Sequence, residues 1–325
     1  MSDTFALSVV LVTPHHYDTL RKTVQHLRAQ TVSDQIELVI VAPSLAKLGF
    51  DETDRHGLGH VLVIETGTRQ TLGFAKAAGV RAATAPIVAF AEDHCYPDPD
   101  WAAALIEAHC GPWAAVGPAI GNANPLGLVS WANLLIAYGH WLDPTTSRVI
   151  DDVPGHNSSY KRDLLLQYGD QLNTIMGREG SLHTDLRHKG HQLYLAAEAR
   201  AYHLNPTRAT AWIPLRFNAG RLFAAVRAKG ENWSPLRRTI YITGAPLIPL
   251  MRLPQLLRFL RASGRQSELF PQLLPILLLA LFIHSVGEVA GYILGEGHTR
   301  ERLANFEFDR MRQITQRDLI ALSQV

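Results

Sequence analysis

Residues 85–101, Ala-Pro-Ile-Val-Ala-Phe-Ala-Glu-Asp-His-Cys-Tyr-Pro-Asp-Pro-Asp-Trp, decide how this chain reads. Ile87 to Ala91 is an apolar run of the length of a buried strand. It stops at Glu92-Asp93-His94, three groups able to hold a cation or polarise a phosphate. Asp98-Pro99 then reads as the N-cap and first position of a helix. Polar groups at the carboxyl end of a strand in an open α/β sheet are where such folds bind ligands.

Working outward, Leu7 to Val12 is a β-branched strand closed by Thr13-Pro14, and Leu20, Val24 and Leu27 recur at helical spacing behind it. Ile36 to Val41 and Val61 to Ile64 read as the second and third strands. Leu72, Ala75, Ala78-Gly79 and Ala82 give a helix face of small residues, suited to close packing on a sheet. Further on come a strand over Ala114–Ile120, a helix over Leu126–Tyr138 and a polar stretch over Pro154–Lys161. A short helix follows over Arg162–Tyr168, then a helix holding Leu182 and Leu186 with Gly190 as its C-cap. A late strand covers Leu193–Ala197, with His203 just past it. Strands alternating with helices predict a parallel sheet with right-handed crossovers.

The chain has 325 residues, 47% apolar and 18% charged, so it builds a core and is not disordered. A net charge of +2 argues against nucleic-acid binding. Cys95 and Cys110 are too few for a disulfide framework and fit a reducing compartment, with one bridge left open. No basic stretch followed by an apolar run opens the chain, so no signal peptide is expected.

Rival chemistries lack their motifs. A dinucleotide enzyme needs Gly-x-Gly-x-x-Gly directly after the first strand, and Thr13-Pro14 stands there instead. No Lys-Ser/Thr phosphate loop, serine elbow, paired Cys ligands or His-Glu-x-x-His occurs. His183, His188 and His191 do not share a helix face and read as solvated.

The order of features resembles the family 2 glycosyltransferases, whose fold is GT-A: a Rossmann-like, mostly parallel sheet flanked by helices. Ser8 to Pro14 resembles the opening strand, Leu20 to Gln30 the first helix and Glu37 to Val41 the second strand. Gly73-x-Ala75-Lys76-x-x-Gly79 resembles the segment near the nucleotide sugar, and Glu92-Asp93-His94 stands where the family has Asp-x-Asp. Gly155-His156-Asn157-Ser158-Ser159-Tyr160-Lys161-Arg162 is similar to the acceptor-side stretch. Glu179, ahead of Leu182, Leu186 and Gly190, is similar to the position of the catalytic base, and His203 matches the His after the last core strand.

The resemblance implies an inverting transferase that moves a sugar from a nucleotide-diphosphate donor to a hydroxyl of a glycan or lipid acceptor. Glu179 is then the general base; Thr13, Pro14, Lys76, Glu92 and Asp93 bind the donor; Asn157 and Tyr160 meet the acceptor; His94 and His203 hold a divalent cation, Mn²⁺ or Mg²⁺. Each residue also has a plainer reading. Glu179 can be a helix-start carboxylate favoured by the dipole, Lys76 a solvated lysine, His203 a hydrogen-bonded loop histidine, and Glu92 and Asp93 surface carboxylates. Two departures stand out. Ala42-Pro43-Ser44 replaces the family's acidic pair after the second strand, and a His in place of an Asp softens the metal site toward Mn²⁺ rather than Ca²⁺. The alternatives to the transferase are a non-catalytic, membrane-tethered glycan-binding or scaffold protein of the same fold, and a sugar nucleotidyltransferase. The spacing of Arg208 and Trp212 departs from the Gln-x-x-Arg-Trp of processive members, which favours single addition.

The expected domains are residues 1–215, with 1–120 the nucleotide-sugar half and 121–215 the acceptor half, and a helical, membrane-associating region over 216–325. Phe270 to Gly295 is apolar but includes His284 and Glu288. Leu, Ile, Phe and Val at roughly −0.3 to −0.6 kcal/mol each can offset one central charge at roughly +3 kcal/mol. Ile240 to Leu260 mixes apolar residues with arginines, as interfacial segments do. A span, a re-entrant or monotopic pair and a buried core helix all remain open. Membrane contact places the catalytic part on the cytoplasmic face of the cell membrane, where nucleotide sugars are made.

Overall fold

Runs of Val, Ile and Leu form the centre of one sheet. The computed structural model describes residues 5–14, 16–68, 70–308 and 310–322, and of Glu179 only the backbone. Contacts divide the chain into two units, residues up to 121 with 143–203, and residues 122–142 with 204–325.

In the first unit the strands are β1 (Leu7–Val12), β2 (Ile36–Ala42), β3 (His60–Glu65), β4 (Ile87–Ala91), β5 (Cys95–Pro97), β6 (Ala115–Asn122), β7 (Arg148–Ile150), β8 (Ser159–Lys161) and β9 (Leu193–His203). Among the described residues they form one sheet in the order β3-β2-β1-β4-β8-β6-β9-β5, with β7 beside β9. β1 runs parallel to β2 and β4, and β2 parallel to β3. β1, β2 and β4 are buried almost throughout, which is why their sequences are continuous apolar runs rather than alternating ones. The parallel half is as expected. β8 then pairs antiparallel with both β4 and β6, and β9 antiparallel with β5 and β7, giving a mixed GT-A-like sheet.

The small-residue helix forms over Leu72–Ala82, capped by Thr71, whose side chain accepts from the Phe74 N–H. A Cβ on Gly79 would lie 2.4 Å from Val10 Cγ1, so only glycine lets this helix reach β1. Glu37 is a buried carboxylate on β2. Ser8 Oγ donates to it, Thr84 donates through its N–H at 2.8 Å and its hydroxyl at 3.0 Å, and Ala85 N–H donates to Ser8 Oγ at 3.0 Å. One acid thus ties β1, β2 and the turn into β4, and satisfies itself.

Two expected boundaries shift. The helix after β5 starts at Trp101, not Pro99, because Trp101 N–H donates to Asp98 C=O at 3.0 Å and closes a turn. β9 runs on to His203, because Cys95, Tyr96 and Pro97 pair with its last residues. Cys95 is buried, Cys110 exposed, and both are free thiols.

In the second unit, helices span Leu128–Tyr138, Ala209–Gly230, Pro235–Gly244, Ile248–Ala262, Leu273–Leu294 and Thr299–Phe306. The expected boundary at 215 lies within the 209–230 helix, and the Leu128–Tyr138 helix, expected in the acceptor half, is part of this unit. A Cβ on Gly220 would meet the His284 carbonyl at 2.1 Å, and one on Gly287 the Phe217 carbonyl at 2.1 Å. The 209–230 and 273–294 helices therefore touch backbone to backbone, as small residues permit.

His109 supplies a test of the sheet's packing. Its Nε2 lies 2.9 Å from Ser159 Oγ on β8, and burial, reinforced by the Lys161 cation, pushes its imidazole down to about 4. The unfolded chain, titrating near ~6.5, then binds an extra proton between the two values. Stability is whole above ~6.5 and falls as pH drops toward 4, by at most about 3 kcal/mol from this group. Urea unfolding from pH 7 to 4.5 should show a shallower loss in His109→Gln than in the parent protein.

Candidate active site

β4 ends at Ala91, and the chain leaves the sheet through Glu92, Asp93 and His94 before β5 begins. Because Cys95 pairs with His203, the imidazoles of His94 and His203 meet edge to face, with centroids 5.0 Å apart. One ligand atom each from Glu92, His94 and His203 lies within 4.8 Å of the others. His94 Nε2 is 3.8 Å from Glu92 Oε1, and His203 Nε2 is 4.0 Å from Glu92 Oε2. Two bonds of about 2.1 Å to a shared cation span at most about 4.2 Å, and these separations fall within that reach. The donor set, one carboxylate and two imidazoles, fits a divalent first-row cation better than an all-oxygen site does.

The surrounding contacts hold this arrangement. Asp93 Oδ1 lies 2.5 Å from His94 Nδ1, which leaves Nε2 as the nitrogen facing Glu92. A carboxylate behind a ligating histidine fixes ring orientation in just this manner. Asn157 Nδ2 donates to Glu92 Oε2 at 3.0 Å, His156 Nδ1 lies 3.2 Å from Glu92 Oε1, and Thr23 Oγ1 donates to the Glu92 carbonyl at 2.9 Å. His156 stands in the polar 154–161 stretch, where its spacing from Glu92 and His94 carries no ligand signature.

The other expected residues are spread around this centre. Thr13 is buried, its N–H donating to the Val41 carbonyl at 3.0 Å, and Pro14 beside it is half-buried. Lys76 is only 4% exposed and its Nζ sits 5.1 Å from the centroid of Phe90, so it is not a solvated lysine. A lysine stem is absorbed by apolar neighbours while its head uses the ring face. Tyr160 is in the core, edge-on to Phe90, with its OH 2.7 Å from His183 Nε2. Glu179 heads the helix Glu179–His188, and its side chain lies outside the described residues.

His183 corrects the sequence reading. It is buried, not solvated, and joins Tyr160 OH through Nε2 and Asp152 Oδ1 through Nδ1. It shares the inward face with Leu182 and Leu186, and its two ring nitrogens both find partners there, which is what burial of an imidazole requires. His188 is exposed as expected.

Residues 8–169 match the family model Glycosyl transferase family 2. This chain carries a family 2 glycosyltransferase domain. The matched stretch runs from β1 past β8 and includes Glu92 and His94, with His203 beyond it. Among solved structures, the transferase is similar to the mannosyltransferase PcManGT from Pyrobaculum calidifontis in complex with GDP-Man and Mn²⁺, at 14% identity over 88% of each chain with a TM-score of 0.53. That likeness shows a shared fold. S. aureus TarS 1–349 is 16% identical over 92% of each chain, with a TM-score of 0.45. GalNAc-T7 with UDP, GalNAc and Mn²⁺ is 16% identical with a TM-score of 0.47; the match covers 62% of this chain and 43% of that one, so the transferase spans less than half its length. No curated protein matches the chain.

The Tyr160–His183 contact yields a measurable cost. Tyr160→Phe keeps the ring and removes the hydroxyl, leaving a buried imidazole nitrogen without that partner. We expect a loss of roughly 1–3 kcal/mol in urea unfolding.

Proposed function

We propose that this transferase moves a sugar from a nucleotide-diphosphate donor to a hydroxyl of a glycan or lipid acceptor, with inversion at the anomeric carbon. The observation that carries the reading is the convergence of Glu92, His94 and His203 at the carboxyl end of β4. A divalent cation held there, Mn²⁺ or Mg²⁺, would supply positive charge to the departing diphosphate. Asp93 keeps the His94 ring turned, Asn157 keeps the Glu92 carboxylate in place, and both act before any substrate arrives. Thr13 and Pro14 at the end of β1, and Lys76 on the 72–82 helix, are the donor-side residues.

Glu179 takes the proton from the attacking hydroxyl. Its support is its place at the head of the 179–188 helix, after the stretch holding Asn157 and Tyr160, which we assign to the acceptor side. Attack opposite the leaving diphosphate inverts the configuration, and one base suffices for that displacement. Residues 216–325 contact the membrane, with the transferase domain on the cytoplasmic face where donors are made. Support for this is the 273–294 helix, long and apolar enough to cross a bilayer by length and composition.

Two measurements separate the parts. Calorimetry with Mn²⁺ plus UDP or GDP should show cation binding weakened by tenfold or more in His203→Ala; an unchanged affinity would remove His203 from the site. Glu179→Gln should cut sugar transfer by roughly a hundredfold or more while nucleotide binding persists. A rate equal to that of the parent protein sinks the assigned base.

A further inference from the structure

The two ends of the chain differ sharply in charge. Residues 204–325 hold 16 Lys and Arg against 8 Asp and Glu, net +8, whereas residues 1–203 hold 15 against 21, net −6, which together give the overall +2. The cationic excess falls on the helical unit, and that unit also holds most of the exposed large apolar side chains.

The 273–294 helix buries its polar residues His284, Ser285 and Glu288 among Leu277, Leu281 and Tyr292, and Glu288 accepts from Tyr292 OH at 3.4 Å. Its exposed face holds Leu278, Leu279, Phe282, Val286 and Ile293, spaced to form one stripe. The polar face is occupied by the backbone-to-backbone contact with the 209–230 helix, so the apolar stripe is what remains outward. On the 248–262 helix, Leu250, Pro254, Arg258 and Arg261 recur at four, four and three residues along one exposed face. Leu250 and Met251 are 65% and 75% exposed. One face of a single helix thus changes from apolar to cationic along its length. A cavity of about 440 Å³ repeats the combination: Ile213, Phe217, Phe282 and Val286 line it, with the exposed Arg302 at its side.

A spanning helix surrounded by acyl chains needs apolar residues all round, and this one carries His284, Ser285 and Glu288 on a face already packed inside the helical unit, which also holds the arginines of the 209–230 helix. Anionic headgroups answer both features at once. We infer that the helical unit docks in the plane of a bilayer containing anionic lipid, its apolar stripes in the acyl boundary and Arg258, Arg261 and Arg302 on headgroup phosphates. The inference rests on the membrane contact of residues 216–325 proposed above and adds its orientation and its lipid partner. Each arginine close to an anionic surface is worth about fivefold in partitioning, and that gain fades with salt.

Flotation of the full chain with phosphatidylcholine vesicles, alone or with one-third phosphatidylglycerol, tests this. Binding should be at least about tenfold stronger to the anionic vesicles, fall with added salt, and be released by alkaline carbonate. Met251→Asp should abolish binding, and Arg258→Glu with Arg261→Glu should erase the preference for anionic lipid; both sites are exposed, and thermal melts confirm the variants are folded. Equal binding to the two vesicles overturns the inference while leaving membrane contact intact. Retention after carbonate overturns the in-plane orientation in favour of a span. Absence of binding to either vesicle overturns both readings, and self-association through the stripe would then be seen as a larger mass by light scattering.

Discussion

The Glu92 side chain is about nine-tenths withdrawn from water, and a carboxylate placed there needs donors. That requirement organises the first unit. Asn157 donates to it from the loop before β8, His156 lies 3.2 Å away from the same loop, and Thr23 anchors its backbone from the first helix, while His94 and His203 stand 3.8 and 4.0 Å off, too far to donate but near enough to share an ion. Segments far apart in sequence meet at the acid that ends β4. The short strand β5 follows from the same need: its pairing with β9 is what carries His203 to Glu92.

Two acids of the first unit do different things. Glu37 and Glu92 are both carboxylates at strands of the sheet, but Glu37 accepts three hydrogen bonds, one from Ser8 and two from Thr84, and Ser8 in turn accepts from Ala85. It is a closed network, which stiffens the sheet and offers nothing to a ligand. Glu92 is surrounded mainly by imidazoles and one amide at longer distances, an arrangement that can rearrange around an ion. Closure in one place and openness in the other separate a scaffold acid from a site acid.

The central strands were legible because a fully buried parallel strand writes itself as an unbroken apolar run, as β1, β2 and β4 do. Glu92, His94 and His203 were legible by order along the chain. β5, β7 and β8 were not, since three residues are too few to display an alternation, and only pairing partners distant in sequence make them strands. His183 was misread because its inward turn depends on Asp152 and Tyr160, neither of which is near it in sequence. The Asn157 contact with Glu92 was hidden for the same reason. In the tail, apolarity was plain from composition. Which face of the 273–294 helix points outward was not, because both faces contain many apolar residues and its rotation is fixed by contacts distant in sequence, the glycine contacts with the 209–230 helix among them.

The Leu128–Tyr138 helix belongs with helices that come much later in the chain. It packs against the 273–294 helix, Trp131 takes the Arg265 guanidinium over its ring at 4.9 Å, and Gly139 next to it sits against Phe259. During synthesis those partners leave the ribosome more than a hundred residues after it. At about 5–20 residues per second the wait is roughly ten to thirty seconds. For that interval the helix that carries the buried Trp131, Leu134 and Leu135 is without these later partners. A nascent chain halted before residue 273 therefore lacks the 273–294 helix on which the Leu128–Tyr138 helix packs in the finished protein.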